Sequence, residues 1–332
     1  MNVPVSLADQ LRIPRLDGQL GRVEAALLDA VTCDDAFLTE VAGHLIAAGG
    51  KRIRPALVLG SAVAAGAAID GEVVRGGVSV ELVHLGSLYH DDVMDEAASR
   101  RGAESVNHRW GNLVAILAGD FLLARASEIA ASLGTEVAAL LAHTIGQLCE
   151  GEVSQLAHAF DTRRPETAYL TAIAGKTASL MATSARIGGL VGDADRRVVD
   201  ALTTYGRAFG MTFQIWDDIR DLIATEGQLG KPAGHDMVEG TYTLPVIKAL
   251  ASTDVGDELR ALLGGPLDDP ARDKARDLIL VTDAVPASIG EARRWADGAF
   301  DALAPLRGIG PDEAVDALAG FGHRLVDDLE AP

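Results

Sequence analysis

The sequence is poor in aromatic residues, and this shortage argues against a fold built from sheets. Only 4% of its 332 residues are aromatic, and Ala, Leu and Val supply most of the 48% hydrophobic content. Runs rich in Ile, Val, Thr and Tyr are few, so helix packed on helix is favoured over strands. We therefore predict an all-α fold, with a substantial core in a single domain spanning residues 1–332.

Basic residues, cysteine and long apolar runs are also scarce. The chain has 29 Lys and Arg against 48 Asp and Glu, a net charge of −19, which argues against a nucleic-acid surface. Cys33 and Cys149 have neither metal-ligand spacing nor a disulfide framework, as is typical of a reducing cytoplasm. With no signal peptide and no run of about 18 apolar residues, a soluble cytoplasmic protein is expected.

Helical periodicity extends along the chain. The segment DDAFLTEVAGHLIAAGG is expected to end as a helix at Gly49 and Gly50, and RRVVDALTTYGRAFGMTFQIWDDIRDLIA is predicted to be one long helix. The Gly-rich EGQLGKPAGHDMVEGTYT after it is a predicted loop.

Two aspartate clusters, DDVMD at 91–95 and DDIRD at 217–221, each follow an apolar helical segment. Residues four apart share a helix face, so each cluster would point a pair of carboxylates the same way. A single cluster is as well explained by solvated helix-end aspartates, but two clusters favour a metal. Oxygen ligands without nearby His or Cys suit magnesium, which usually keeps a phosphate ligand. The pattern predicts a phosphate-bearing substrate.

The few cations of this chain are concentrated where such a substrate needs them. GGKRIRP carries Lys51, Arg52 and Arg54, and Arg100 and Arg101 follow the first aspartate cluster. This arrangement is typical of a diphosphate clamp, and a solvated charge run is the weaker alternative. GKT at 175–177 lacks the upstream glycine of a nucleotide-binding P-loop and lies in a helical segment, so that loop is not expected.

These motifs together resemble the trans-isoprenyl diphosphate synthases, or polyprenyl synthetases. GGKRIRP, ELVHLGSLYHDDVMDEAASRRG, WGNLVAILAGDFLLA, GKTASL, FQIWDDIRD and GKPAGHDMVEGTYTLP follow that family's order across most of residues 20–250. The resemblance implies an isoprenoid-synthase type helical bundle around a deep central cavity, usually a homodimer. The two aspartate motifs would face each other at its mouth.

The resemblance also implies a role for each matching residue. Metal ions would be held by Asp91, Asp95 and Asp217, with Asp92, Asp218 and Asp221 in support. The allylic diphosphate would be contacted by Arg100, Lys176, Thr177, Gln214 and Lys231. Isopentenyl diphosphate would be held by Lys51, Arg54, His84 and Arg101. Of these, the six aspartates and Lys176 are the expected catalytic residues.

The implied reaction is magnesium-dependent addition of isopentenyl diphosphate to an allylic diphosphate by ionisation, condensation and elimination. Chain length would be set one helical turn before Asp91, at Gly86 and Ser87, which are both small. Short-chain members tend to carry a bulky aromatic residue there, so a hexaprenyl to decaprenyl product is predicted. Peripheral membrane contact for product release is left open.

Three positions depart from the family pattern, and three other functions stay open. Trp216 and Arg220 are unusual for their positions, and Arg220 lies on the outer face or pairs with Asp217. Thr241 stands where a cation often follows the glycine of VEG. The alternatives are a shorter-chain farnesyl or geranylgeranyl diphosphate synthase, a class I terpene cyclase, and a non-catalytic subunit of a heteromeric synthase.

Overall fold

The computed structural model describes residues 13, 16–225, 227 and 232–330, and these are helical almost throughout. The helices are α1 (Leu16–Ala30), α2 (Ala36–Ala47), α3 (Ile53–Ala64), α4 (Gly71–Met94), α5 (Val106–Trp110), α6 (Asn112–Ser132), α7 (Thr135–Leu156), α8 (Glu166–Ile173), α9 (Ser179–Val191), α10 (Arg196–Ile223), α11 (His235–Val238), α12 (Leu244–Leu250), α13 (Gly256–Leu262), α14 (Asp269–Leu280), α15 (Ala284–Ala302), α16 (Asp312–Ala319) and α17 (Phe321–Glu330). A π-helical turn, Ala174–Ala178, joins α8 to α9, and a 3₁₀ turn, Ala304–Leu306, follows α15.

The prediction of an all-α fold is confirmed. Among the described residues, the strands are β1 (Ser99–Arg100) and β2 (Ala103–Glu104), which form one short antiparallel hairpin. The predicted long helix is α10, which runs unbroken from Arg196 to Ile223. In the described part of the predicted loop that follows it, α11 is a helix of one turn.

The helix ends that frame the first aspartate motif are fixed by local chemistry. The Asp70 carboxylate accepts hydrogen bonds from the amides of Glu72 and Val73 at 2.9 and 3.0 Å, which caps the start of α4. Helix α2 ends at Ala47, and Gly49 follows with φ +82°, a conformation that favours glycine. The predicted helix end at the paired glycines is therefore confirmed.

The chain is grouped into two compact units, each built from three sequence segments. The first unit comprises Met1–Ile145, Leu180–Gly206 and Leu303–Leu318, and the second comprises Gly146–Ser179, Arg207–Ala302 and Ala319–Pro332. The division follows no linker, because the chain alternates between the units along its length. The single-domain assignment stays a prediction.

Helix α4 is the central element of the first unit. It packs against α6, α3 and α1, and its side chains Val80, Leu82 and Leu85 are fully buried. The contact with α6 is close because glycines face each other there: a Cβ on Gly86 would lie 3.1 Å from the carbonyl oxygen of Gly119. This packing places the last turn of α4, with its aspartates, next to a closely packed core.

The core of the second unit is formed where α15 meets α17 and α12. The ring of Phe209, on α10, stacks on that of Phe321 with 4.9 Å between centroids. These contacts bury the part of α10 that precedes the second aspartate motif. None of the described helices combines the length and the apolar character needed to cross a membrane.

Candidate active site

The first aspartate motif occupies the last turn of α4 and its C-cap. Asp92 is fully buried and accepts a 2.6 Å hydrogen bond from Nε of Arg100, while its other oxygen, Oδ2, is buried without a hydrogen-bond partner. Burial raises the pKa of Asp92, and the Arg100 guanidinium opposes that rise. Asp91 is half-buried and Asp95 is exposed. Carboxylates at a helix C-terminus meet the negative end of its dipole, so this cluster favours a cation.

The hairpin β1–β2 places the two arginines that follow the motif. Its turn residues, Arg101 and Gly102, have φ of +55° and +73°, as a two-residue hairpin of the primed type requires. Gly102 adopts this conformation without steric cost, whereas Arg101 adopts it despite its side chain. As a result, Arg100 is directed to Asp92, and Arg101 is directed to the loop between α2 and α3.

The paired glycines of GGKR form the surface on which Arg101 lies. The Arg101 guanidinium donates to the carbonyl oxygens of Leu45, at 3.2 Å, and of Gly49. A Cβ on Gly50 would lie 2.7 Å from the Cζ atom of Arg101, so a side chain at this position would displace the guanidinium. Glycine at position 50 therefore has a steric reason, because it leaves room for the Arg101 guanidinium.

Arg52 and Glu81 form a buried ion pair next to Arg101. NH1 of Arg52 donates to Oε1 of Glu81 at 2.8 Å, and both side chains are almost fully buried. NH2 of Arg101 lies 3.9 Å from the same oxygen. The Arg52 guanidinium also donates to the Glu24 carboxylate and to the carbonyl oxygen of Ile46. Arg52 is thus committed to contacts within the protein.

The remaining predicted residues of this cluster are electrostatically coupled. Burial lowers the pKa of Arg54 to about 10, and the nearby Arg101 adds to this while Glu81 and Asp91 oppose it. Burial, helped by Arg54 and Arg101, holds the pKa of His84 well below its usual 6.5, so the imidazole is neutral. Lys51 is exposed at the edge of the loop. The structure thus brings Arg54, His84 and Arg101 together, three of the four residues predicted to hold isopentenyl diphosphate.

The predicted chain-length residues lie on α4, one turn before the aspartates. Gly86 is buried at the close contact with α6, where an added Cβ would also lie 3.1 Å from Cγ of Leu123. Ser87 is half-buried, and its hydroxyl donates to the carbonyl oxygen of His84 at 2.8 Å, which satisfies it within its own helix. Gly86 therefore has a packing reason to be small, and the chain-length role of both residues stays a prediction.

The second aspartate motif lies near the end of α10, in the second unit. Asp218 is buried and accepts hydrogen bonds from the Tyr169 hydroxyl at 2.5 Å and from Nε2 of Gln214 at 2.8 Å. Burial raises the pKa of Asp218 to about 7, with Asp217 and Asp221 adding to the rise and the two hydrogen bonds opposing it. The Asp221 side chain is buried too, and Asp217 is exposed.

The π-helical turn carries the predicted pair Lys176 and Thr177. The Thr177 hydroxyl donates to Oε1 of Gln214 at 2.6 Å, which links it to Asp218 through the glutamine. Nζ of Lys176 lies 2.6 Å from the Glu152 carboxylate. The π turn, an irregularity often found at functional sites, moves both side chains relative to a regular helix. It is held against α7 at Gly151, where a Cβ would lie 2.4 Å from the Lys176 amide.

The three departures from the family pattern have defined surroundings. The Arg220 guanidinium lies 4.7 Å from the ring centroid of Trp216, which is buried, so a cation–π contact accounts for both unusual residues. Among the described residues, no ion pair joins Arg220 to Asp217. The Thr241 amide donates to the carbonyl oxygen of Asp236 at 2.8 Å. The predicted contact residue Lys231 lies outside the described residues.

Comparison with known proteins assigns the family. The polyprenyl synthetase model matches residues 35–278, well over half of the chain. The chain belongs to the polyprenyl synthetase family. Heptaprenyl diphosphate synthase component 2 of Geobacillus stearothermophilus is 40% identical over 291 residues, which cover 87% of this chain and 90% of the relative. Nonaprenyl diphosphate synthase of Mycobacterium tuberculosis is 38% identical over 283 residues, covering 85% and 84%.

A solved structure agrees with this assignment. The polyprenyl synthase from Caulobacter crescentus CB15, complexed with calcium and isoprenyl diphosphate, superposes with a TM-score of 0.87 at 33% identity, covering 96% of this chain and 98% of that one. The resemblance inferred from the motifs is confirmed, as is the prenyltransferase class. The predicted roles of individual site residues stay predictions.

The residues of this polyprenyl synthetase fit a divalent metal that is completed by a substrate. Among the described side chains, no three of His, Cys, Asp or Glu are gathered as a preformed metal site. Magnesium usually binds through one or two carboxylates together with waters and substrate phosphates. The buried Oδ2 of Asp92, which lacks a hydrogen-bond partner, and the all-oxygen donor set suit such an ion.

Three residues of the candidate site were not predicted from the sequence: Glu81, Glu152 and Tyr169. Arg52 was predicted as part of the diphosphate clamp, but its guanidinium makes contacts within the protein instead. For Glu81 a signal existed, because it is the one acid within the apolar run VSVELVHLG and lies three residues before His84. Nothing in the sequence indicated that Tyr169 would reach Asp218.

Proposed function

We propose that this chain is an all-trans polyprenyl diphosphate synthase, which joins isopentenyl diphosphate head to tail to an allylic diphosphate. The observation that carries the proposal is the grouping of Arg54, His84 and Arg101 around α4, whose last turn bears Asp91 and Asp92. Cations gathered next to carboxylates, in a chain with a net charge of −19, suit a diphosphate bound beside a metal ion.

Magnesium is the ion that we assign to the aspartate motifs. Its proposed ligands are Asp91, Asp95 and Asp217, with Asp92, Asp218 and Asp221 in support. When bound, the ion neutralises charge on the diphosphate and makes it a better leaving group. Calcium in the C. crescentus relative supports a divalent cation in this role.

The allylic substrate is assigned to residues beside the two motifs. Its diphosphate would be contacted by Arg100, Lys176, Thr177, Gln214 and Lys231. As the carbon–oxygen bond breaks, the negative charge that develops on the departing diphosphate is stabilised by these fixed donors. The pairing of Lys176 with Glu152 and of Arg100 with Asp92 supports the role by holding each cation ready.

Isopentenyl diphosphate is assigned to Lys51, Arg54, His84 and Arg101. The arginines supply charge, and the neutral His84 supplies a hydrogen bond without further repulsion between cations. With its diphosphate held there, the double bond of isopentenyl diphosphate attacks the allylic carbon, and loss of a proton restores an allylic product one unit longer. Repetition lengthens the chain.

The decisive experiment is product analysis with the purified chain. Isopentenyl diphosphate, magnesium and each allylic primer in turn should give a ladder of all-trans polyprenyl diphosphates. Asp91→Asn should abolish the ladder because a metal ligand is lost, whereas Asp29→Asn, at an exposed position on α1, should leave it intact. Equal activity of the two variants would contradict the proposal.

The same assay decides among the alternatives. A class I terpene cyclase would incorporate no isopentenyl diphosphate and would release a hydrocarbon or alcohol. A non-catalytic subunit would be inactive alone and active only with a partner, a possibility raised by the heteromeric name of the G. stearothermophilus relative. A farnesyl or geranylgeranyl product would identify a shorter-chain synthase.

Chain length has its own test. We propose a hexaprenyl to decaprenyl product, which the heptaprenyl and nonaprenyl relatives support. Ser87→Phe should shorten the product by several isoprene units, because the ring would fill the space left by the small residue one turn before Asp91. Gly86→Phe is less informative, since its side chain would collide with α6. An unchanged ladder from Ser87→Phe would refute this gate.

Assembly and location complete the proposal. Leu113, Ile116 and Leu117 form an exposed apolar face on α6, with exposed fractions of 79, 41 and 65%, and this face supports a homodimer. The free thiols Cys33 and Cys149 support a cytoplasmic location. Peripheral contact with a membrane would let the apolar product leave.

A further inference from the structure

Glu81 is a buried acid that none of the roles assigned above employs. Its side chain is 2% exposed in the middle of α4, among the fully buried Val80, Leu82 and Val83. A carboxylate in such surroundings is costly unless cations and hydrogen bonds compensate it. Its position therefore needs a reason.

The carboxylate of Glu81 faces three guanidinium groups at once. Oε1 accepts a 2.8 Å hydrogen bond from Arg52 and lies 3.9 Å from NH2 of Arg101. It is also the strongest favourable electrostatic partner of Arg54, which is half-buried. One acid thus serves as counter-ion to the whole arginine cluster.

The cluster would repel itself without this acid. Arg101 disfavours the charged form of Arg54, and Arg52 disfavours that of Arg101, so the three cations oppose one another. Glu24 pairs with Arg52 and favours the charged form of Arg101 less than Glu81 does, and its side chain is 40% exposed, where water screens it. Among the described acids that act on this cluster, Glu81 is the one that is buried and shared by all three arginines.

The place of Glu81 on α4 also relates the cluster to the aspartates. Asp92 follows Glu81 by eleven residues, close to three full turns, so both lie on one face of the helix. The rise along α4 separates them by roughly 16 Å. Because α4 is rigidly packed, an arginine cluster anchored on Glu81 is held at a fixed distance from the metal-binding end.

We propose that Glu81 is a positioning residue, a resident counter-ion that holds Arg52, Arg54 and Arg101 in the arrangement that receives the diphosphate of isopentenyl diphosphate. It acts through the arginines and does not contact the substrate. The inference rests on the proposed function for the identity of that substrate. It predicts an effect on one of the two substrates only.

The test compares Glu81→Gln with the matched control Glu24→Gln. Both remove one negative charge from beside Arg52, but Glu81 also acts on Arg54 and is the stronger partner of Arg101, whereas Glu24 acts on Arg101 more weakly. Glu81→Gln should raise the KM for isopentenyl diphosphate about tenfold, with the KM for the allylic primer changed less than about twofold. Glu24→Gln should change both constants less than about threefold.

Two results would overturn the inference. A lower KM for isopentenyl diphosphate in Glu81→Gln would mean that the carboxylate merely opposes the substrate charge. An equal loss toward both substrates, together with a lower Tm, would mean a purely structural role. If Glu81→Gln does not fold, Glu81→Asp, which keeps the charge on a shorter side chain, should show a smaller rise with the same selectivity.

A binding measurement separates this inference from the proposed function. Calorimetric titration with inorganic diphosphate needs no turnover, and Glu81→Gln should bind it about tenfold more weakly than the unaltered chain. If the unaltered chain binds diphosphate but forms no product, the proposed function fails while this result still decides on Glu81. Equal diphosphate binding by the two proteins would refute the role of Glu81.

Discussion

At the scale of single residues, Gly50 has the most specific steric role in the site. Gly50→Ala would place a methyl group 2.7 Å from Cζ of Arg101, at a φ of +155° that side chains rarely adopt. The guanidinium must then leave the loop carbonyls. We expect the KM for isopentenyl diphosphate to rise roughly tenfold, equivalent to about 1.4 kcal/mol, in steady-state assays.

Gly49→Ala is the matched control for this prediction. Gly49 has a positive φ of +82°, but a Cβ there meets no atom within 4 Å. This variant should lose about 1 kcal/mol of stability through backbone strain and bind substrate almost normally. If both variants raised the KM equally, strain in the loop rather than the contact with Arg101 would be responsible.

His84 gives the cluster a defined response to acid. Its folded-state pKa lies well below the value of about 6.5 in the unfolded chain, because desolvation and the nearby cations Arg54, Arg101, Arg52 and Arg100 disfavour its charged form. Below pH 6.5 the unfolded state binds a proton that the folded state does not. Stability from this residue is therefore complete above pH 6.5, and up to about 1.4 kcal/mol is lost per pH unit below it.

Urea unfolding at pH 7 and pH 5 measures this effect. His84→Gln, which keeps a polar side chain but cannot titrate, should lose less stability between these pH values than the unaltered chain. His143→Gln, at an exposed position on α7, should behave like the unaltered chain. Identical losses in all three proteins would show that His84 does not titrate as its surroundings require.

The charged candidate residues could be selected from the sequence, because scarce cations and paired aspartates are visible in one dimension, and their roles stay predictions. The structure groups Arg54, His84 and Arg101 as expected. The roles of Glu81 and Tyr169 could not be predicted, because each role depends on which residues of other helices pack against the side chain. The packing role of Gly86 was hidden for the same reason, because it is α6 that makes the glycine necessary.

At the scale of elements, the π turn between α8 and α9 depends on its contact with α7. Gly151→Ala would place a methyl group 2.4 Å from the Lys176 amide and 2.8 Å from the carbonyl oxygen of Ala172. Because these are backbone atoms, the turn must move. We expect a loss of about 2 kcal/mol in unfolding free energy and a higher KM for the allylic primer.

Gly146→Ala, in the same helix, is the control. A Cβ on Gly146 meets nothing within 4 Å, so the substitution should stabilise α7 by about 0.5–1 kcal/mol and leave the KM unchanged. Differential scanning calorimetry and initial-rate kinetics of both variants check the pair. A stable and fully active Gly151→Ala would show that the turn tolerates displacement.

Element boundaries were predicted where the sequence carries local stop signals, and missed where it does not. Gly49 ends α2 as expected, because a left-handed glycine is a local requirement. The segment around GKT at 175–177 was expected to be helical, but it contains the π turn, because the five residues AGKTA carry too little apolar pattern to reveal a change of period. The hairpin β1–β2 is too short for an alternating pattern to show.

At the scale of the whole molecule, the exposed apolar face of α6 bears on assembly. If a second copy covers it, Leu117→Asp should place a buried charge at the interface and shift the protein toward monomers. Sedimentation velocity across a concentration series measures the change. Val281→Asp, at another residue that is 77% exposed, is the control and should leave the mass unchanged. A monomeric unaltered chain would contradict the dimer.

The interleaving of the two units has a consequence for synthesis on the ribosome. The first unit lacks its last segment until Leu318 has been added, and the second unit takes its final segment from the residues after it. Neither unit can therefore be completed while residues 303–332 are still inside the exit tunnel. A chain truncated before residue 303 should therefore leave both units unfinished and vulnerable to protease.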